Sequence, residues 1–186
     1  GRKRAGFFSS ASRKMPSGVI LALMLRSAEQ LTPKAGETYT LGDATWQILS
    51  CDTDMPDLNE SSIVIKLTYG NTSFLFTGDA TMNTEQGLEM SGYDLKSDVL
   101  KVGHHGSAGS TADSFLDAVA PEIAVISVDS ESDMGEMYHH PATSTLQRLS
   151  QHGIKVYRTD ELGTIRITSD GEKLAVSAFA TSTDGT

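Results

Sequence analysis

The chain has 186 residues, within the range of one domain and long enough to bury a real core. Its 15 Lys and Arg against 24 Asp and Glu give a net charge of -9, which argues against a protein that holds nucleic acid on its own basic surface, so a polyanionic substrate would need the help of cations. The single cysteine, Cys51, excludes an internal disulfide framework and any cysteine-based zinc cluster.

In chain order, residues 1–16 carry Arg2, Lys3, Arg4, Arg13 and Lys14 without an acid and show no periodicity, so they are expected to form a flexible basic segment at the start of one domain over 1–186. The start on Gly, not Met, predicts a fragment or a processed chain. The apolar run Val19 to Leu25 is far short of the roughly 20 residues needed to span a bilayer. Apolar residues at Ile20, Leu21, Met24, Leu25 and Ala28 predict an amphipathic helix over 17–31, stopped by Pro33. Thr38 to Leu41 and Thr45 to Ser50 read as a hairpin about Gly42-Asp43, and Ser62 to Tyr69 with Thr72 to Thr77 as a second about Gly70-Asn71. The pattern then changes to alternating helix and strand. Helices are expected over 81–90, 112–119 and 143–152, strands over 99–102, 123–128 and 155–157, and a closing hairpin over 163–168 and 173–178. An antiparallel front and a βαβα back predict an α/β fold, a mixed sheet covered by helices, as in one half of a two-sheet sandwich.

Chemistry gathers where the strands end. Phe74-Leu75-Phe76-Thr77-Gly78-Asp79 delivers a carboxylate just past an apolar strand; Asp79 is either a metal ligand or the N-cap of the next helix. Gly103-His104-His105-Gly106-Ser107 places two imidazoles at another strand end. Adjacent side chains on an extended backbone point apart, so both reach one site only if the flanking glycines let the chain turn; otherwise one binds metal and its neighbour supports it or donates a proton. Tyr138-His139-His140-Pro141 follows a third strand. Ligands of α/β sheets bind beyond the carboxyl ends of strands, so Asp79, His104, His105 and His140 are expected to face one cleft. His152, at the end of a helix, is expected to be a surface residue.

The succession Asn59-Glu60-Ser61-Ser62-Ile63-Val64, Phe76-Thr77-Gly78-Asp79-Ala80, Asp98-Val99-Leu100-Lys101-Val102-Gly103-His104-His105-Gly106-Ser107, Pro121, Ile126-Ser127 and His140-Pro141 resembles the ordered motifs of the ComEC-type competence branch of the metallo-β-lactamase superfamily, from about Lys34 to Ile167. The resemblance implies an αββα sandwich of which this chain is the C-terminal half. It implies a hydrolase, a phosphodiesterase or nuclease acting on DNA in competence-related uptake, with two divalent metal ions, zinc by default and manganese as the alternative. Asp79 would bridge the metals and His105 or His104 would complete one of them, with His105 taken as the ligand. His104, His140 and Ser107 would serve catalysis by contacting a phosphate oxygen or the leaving group. Such metals generate hydroxide at neutral pH and clamp the attacking and leaving oxygens. The implied partners are DNA or another phosphodiester, the remainder of the domain and a membrane channel region of the parent protein, with the hydrolase domain extracytoplasmic; without the resemblance the chain would read as soluble.

The family's first metal motif, His-x-His-x-Asp-His, has no counterpart here, since no histidine precedes His104. His139 stands where Gly usually precedes His-Pro. Either the chain is half of a hydrolase, expected to be inactive alone, or it has diverged into a metal-free interaction module on the same fold.

Overall fold

The computed structural model describes residues 32–52, 57–129 and 139–179; the expected helix over 17–31, the basic segment before it and Tyr138 lie outside them. Strands β1 (Thr38–Leu41) and β2 (Ala44–Ser50) form the first antiparallel hairpin, and β3 (Val64–Tyr69) and β4 (Thr72–Phe76) the second. From β4 the chain alternates through α1 (Met82–Met90), β5 (Val99–Lys101), α2 (Asp113–Val119), β6 (Ile123–Ile126), α3 (Thr143–Gln151) and β7 (Lys155–Arg158). The result is one seven-stranded sheet in sequential order, antiparallel from β1 to β4 and parallel from β4 to β7. A one-turn helix, α4 (Thr159–Leu162), leads to β8 (Thr164–Ser169) and β9 (Leu174–Phe179), which pair as a separate hairpin. Among the described residues no helix is long and apolar enough to cross a membrane.

Register sorts the sheet's two faces. Leu75, Leu100 and Ala124 lie side by side across β4, β5 and β6 and are fully buried, each at 0% exposure. The helices cover this face with Leu88, Phe115, Leu116, Val119 and Leu149, all in the same buried cluster. Large branched and aromatic side chains removed from water here supply most of the folding free energy, about 25 cal/mol per Å² of apolar surface. On the other face the rows Ile65–Phe76–Lys101–Val125 and Leu67–Phe74–Val99 run across the same strands. Ile65, Leu67, Phe74 and Phe76 are only half-buried there, and Phe74 and Phe76 stack with centroids 6.4 Å apart. The sandwich is therefore present as one helix-covered sheet, with the β8–β9 hairpin as the only other described strand pair.

The hairpin is fastened by its turn. The Asn71 amide donates to the Gly171 carbonyl at 2.6 Å, and the Thr72 and Ser169 hydroxyls share a hydrogen bond of 2.6 Å. Gly70 has φ +57°, and a Cβ there would overlap the Gly171 carbonyl. Gly70→Ala must therefore either strain the β3–β4 turn or push the second hairpin off, and a loss of more than about 1 kcal/mol is expected. Urea unfolding measures it; an unchanged midpoint would mean that the two turns do not meet.

Candidate functional site

Parallel strands β4, β5 and β6 end on one edge of the sheet, and each continues into a polar loop. Strand pairing stops one or two residues earlier than the apolar pattern suggests, at Phe76, Lys101 and Ile126, because the following residues bond to one another across the strand ends. The Thr77 hydroxyl donates to the Lys101 carbonyl at 2.7 Å, and the His104 amide donates to the Gly78 carbonyl at 3.1 Å. The Asp79 amide donates to the Ser62 hydroxyl at 2.9 Å. Helix α1 begins beyond this, with Thr81 at its N-cap, so Asp79 is not the cap. Its carboxylate turns outward to the cleft, with 30% of the side chain exposed.

His104 and His105 occupy a 3-10 turn over Gly103–Gly106, an element absent from the strand-and-helix pattern. Both have left-handed backbones, with φ 45° and 53°, and this turns the chain between two side chains that an extended strand would send apart. His105 Nδ1 lies 2.6 Å from the Ser127 carbonyl, an acceptor, which assigns the ring proton to Nδ1. Nε2 then faces Asp79 Oδ1 at 3.4 Å. An imidazole lone pair and a carboxylate oxygen that close repel unless a proton or a cation lies between them. A histidine whose far nitrogen is held by a backbone carbonyl is the usual arrangement of a metal ligand.

The third loop joins through Gly106. The Ala142 amide donates to the Gly106 carbonyl at 2.8 Å, and a Cβ on Gly106 would come within 2.7 Å of Pro141. His139 has φ 52°, the conformation for which glycine is the natural choice. His140 follows, its ring edge-to-face with His104 at 5.5 Å. Burial pushes the His140 pKa down, His104 and His105 lower it further, and Asp79 opposes them. Ser107 ends the turn; its amide donates to the His104 carbonyl at 2.9 Å and its hydroxyl accepts the Gly109 amide at 3.2 Å. The structure thus brings Asp79, His104, His105 and His140 to one edge, with Ser107 in the supporting loop. His152 is tied elsewhere, to Asp113 at 3.1 Å and Asp117 at 3.5 Å on α2.

Lys101 was not singled out by its pattern. Its ammonium donates to the Val102 carbonyl at 2.7 Å, and burial lowers its pKa while Asp79 raises it. The available signal was a lysine inside the apolar run Val99-Leu100-Lys101-Val102. Among the described residues no group of three or more His, Cys, Asp or Glu converges as a metal site. Asp79 and His105 have the right chemistry and approach, but a catalytic zinc takes about three protein ligands, so these residues do not by themselves make a complete shell.

Because the folded His140 pKa is depressed, its buried neutral form contributes stability above the ordinary histidine value of 6.5, and this is lost as pH falls through the folded value. Ring-proton NMR of His140 should show a midpoint below 6.5 that rises in His104→Ala; a midpoint at or above 6.5 would contradict the described packing.

Residues 50–130 match the metallo-β-lactamase superfamily model. Similar curated proteins include ComE operon protein 3 of Bacillus subtilis (strain 168), 39% identical over 134 residues, which are 72% of this chain and 17% of that protein. Competence protein ComA of Neisseria gonorrhoeae is 40% identical over 111 residues, 59% of this chain and 16% of that protein. The chain thus spans about one-sixth of the length of these relatives. CmlA, a diiron β-hydroxylase from Streptomyces venezuelae, superposes with a TM-score of 0.47 and 18% identity, over 74% of this chain and 35% of that one. The superfamily match and the two competence proteins show that the chain belongs to the metallo-β-lactamase superfamily, in its ComEC-type competence-protein branch.

Proposed function

We propose that this chain carries part of the active site of a metal-dependent phosphodiesterase that acts on DNA in competence-related uptake. The observation that carries the proposal is the approach of His105 Nε2 to Asp79 Oδ1 at 3.4 Å, with Nδ1 fixed on the Ser127 carbonyl. Two donors aimed at a common space, one of them locked in its tautomer, suit a divalent cation and have no evident use in packing. The names of the competence relatives support the setting. The net charge of -9 supports the need for cations, because the protein surface by itself repels a polyphosphate.

In this proposal Asp79 and His105 hold metal, zinc first and manganese second, and the remaining ligands come from the rest of the domain. His104, His140 and Ser107 contact the substrate phosphate or leaving group. With its pKa depressed, His140 acts at neutral pH as a neutral hydrogen-bond donor, not as an acid. The parent protein would be membrane-associated, with this domain outside the cytoplasm and beside a channel region. The competing view, a metal-free interaction module, shares the expectation of weak zinc binding by the chain alone and parts from this one in the full-length parent protein.

Zinc titration and turnover of a chromogenic phosphodiester separate the two. The 186-residue chain by itself should bind zinc weakly and turn over little. In the full-length parent protein, Asp79→Ala and His105→Ala should each lower turnover by more than about 100-fold while leaving the metal-free melting temperature nearly unchanged. Full activity in either variant would remove that residue from the site, and a parent protein that neither binds metal nor hydrolyses the ester would establish the interaction module.

A further inference from the structure

Glu85 is buried outright, at 1% exposure, and has no place in the cleft just described. It lies on the inner face of α1 beside Leu88 and reaches across to the chain entering α2. One carboxylate oxygen accepts the Thr111 amide at 2.5 Å and the other accepts the Ala112 amide at 2.9 Å. Arg148, from α3, approaches the same segment from the opposite side. Its Nε donates to the Thr111 carbonyl at 2.8 Å, and Nη2 donates to the Ser110 carbonyl at 2.9 Å and the Thr145 hydroxyl at 3.0 Å. Thr111 is thus gripped at its N–H by a carboxylate and at its C=O by a guanidinium. It also has φ 63°, a left-handed backbone that a β-branched residue adopts only under constraint.

The gripped segment leads back to the reactive turn. The Ser110 hydroxyl contacts the Gly103 carbonyl at 2.9 Å and the Ser107 carbonyl at 3.1 Å, and the Thr145 hydroxyl donates to the Ser107 carbonyl at 2.8 Å. Gly103 and Ser107 are the residues on either side of His104–Gly106. We propose that Glu85 and Arg148 are positioning residues, an ionic clamp that holds Thr111 in its strained conformation and through it sets the turn presenting His104 and His105. Helix capping does not account for this, because the two gripped amides, of Thr111 and Ala112, precede Asp113, the first residue of α2. Here two opposite charges from two helices converge on one strained residue. Burial raises the Glu85 pKa and Glu89 raises it further, while the two amides and Arg148 lower it, so the carboxylate is placed at a cost that its partners only partly offset. The consequence for catalysis rests on the function proposed above; the clamp itself does not, and is measured without metal or substrate.

The test is NMR on the 186-residue chain. In Glu85→Gln, amide exchange at Thr111 and Ala112 should rise by about 10-fold or more, and the ring signals of His104 and His105 should move while the indole signal of Trp46, on β2, stays. Adding Thr111→Gly should return the imidazole signals, because glycine takes the left-handed conformation without a clamp. Unmoved His104 and His105 rings in Glu85→Gln would overturn the proposal. If that variant fails to fold, the double variant decides: recovery of the fold with parental imidazole signals supports the clamp, and failure to recover shows that Glu85 serves the core generally. A negative zinc or turnover result leaves these outcomes untouched.

Discussion

The hydrogen bond from the His104 amide to the Gly78 carbonyl governs where the reactive groups lie. It joins the end of β4 to the end of β5 at the point where both leave the sheet, so the residue after Gly78 and the residue after His104 are brought face to face. Asp79 and His105 meet at 3.4 Å as a direct result. The third loop is set by the same turn, since Gly106 both accepts the Ala142 amide and leaves room for Pro141. A larger residue at Gly106 would separate His140 from His104, and no rearrangement of side chains alone would restore the contact.

This arrangement is held against local strain. His104, His105, Thr111 and His139 all have left-handed backbones, and such residues cost on the order of 1–3 kcal/mol each when they are not glycine. Strain of this kind persists only where surrounding contacts over-determine it. The contacts are visible: Gly78 and Ser107 bond to His104, Ser127 holds the His105 ring, and Glu85 with Arg148 holds Thr111. Apart from Ala120, the left-handed cap that ends α2, the strained residues occur on the edge that carries the chemistry and in the loop behind it, while the core beneath is fully buried.

Most of the frame was legible in the sequence because it follows from periodicity. The hairpins about Gly42-Asp43 and Gly70-Asn71, the three helix–strand alternations and the closing hairpin lie within a residue or two of their expected bounds, with β3 starting two residues late and β6 ending two residues early. Strand ends were read too long because apolar composition continues through Val102 and Val128, whereas pairing ends when the chain turns into the site. The turn over Gly103–Gly106 was legible only as a permission, since two glycines allow a reversal but do not say that both histidines adopt φ > 0. That the His105 ring and not the His104 ring is held on a carbonyl depends on Ser127, which lies just past the end of β6 and has no signature in local sequence. Glu85 was invisible for a related reason: in α1 it reads as a solvent-facing helical glutamate, and only the packing of α2 against it reveals that it is buried.

The cleft's electrostatics follow from the two faces of the sheet. Lys101 stands in the row Ile65–Phe76–Lys101–Val125 on the less covered face, among apolar neighbours that disfavour its charge, and its ammonium turns back along the strand to the Val102 carbonyl. Asp79 is the group that favours the charged form, so a carboxylate in a chain of net charge -9 already has a cation near it before any metal is considered. Lys101 thus offsets part of the negative potential of the Asp79 carboxylate. The chemistry of this edge thus starts from a carboxylate, an imidazole fixed on a backbone carbonyl, and a desolvated lysine on the adjacent strand.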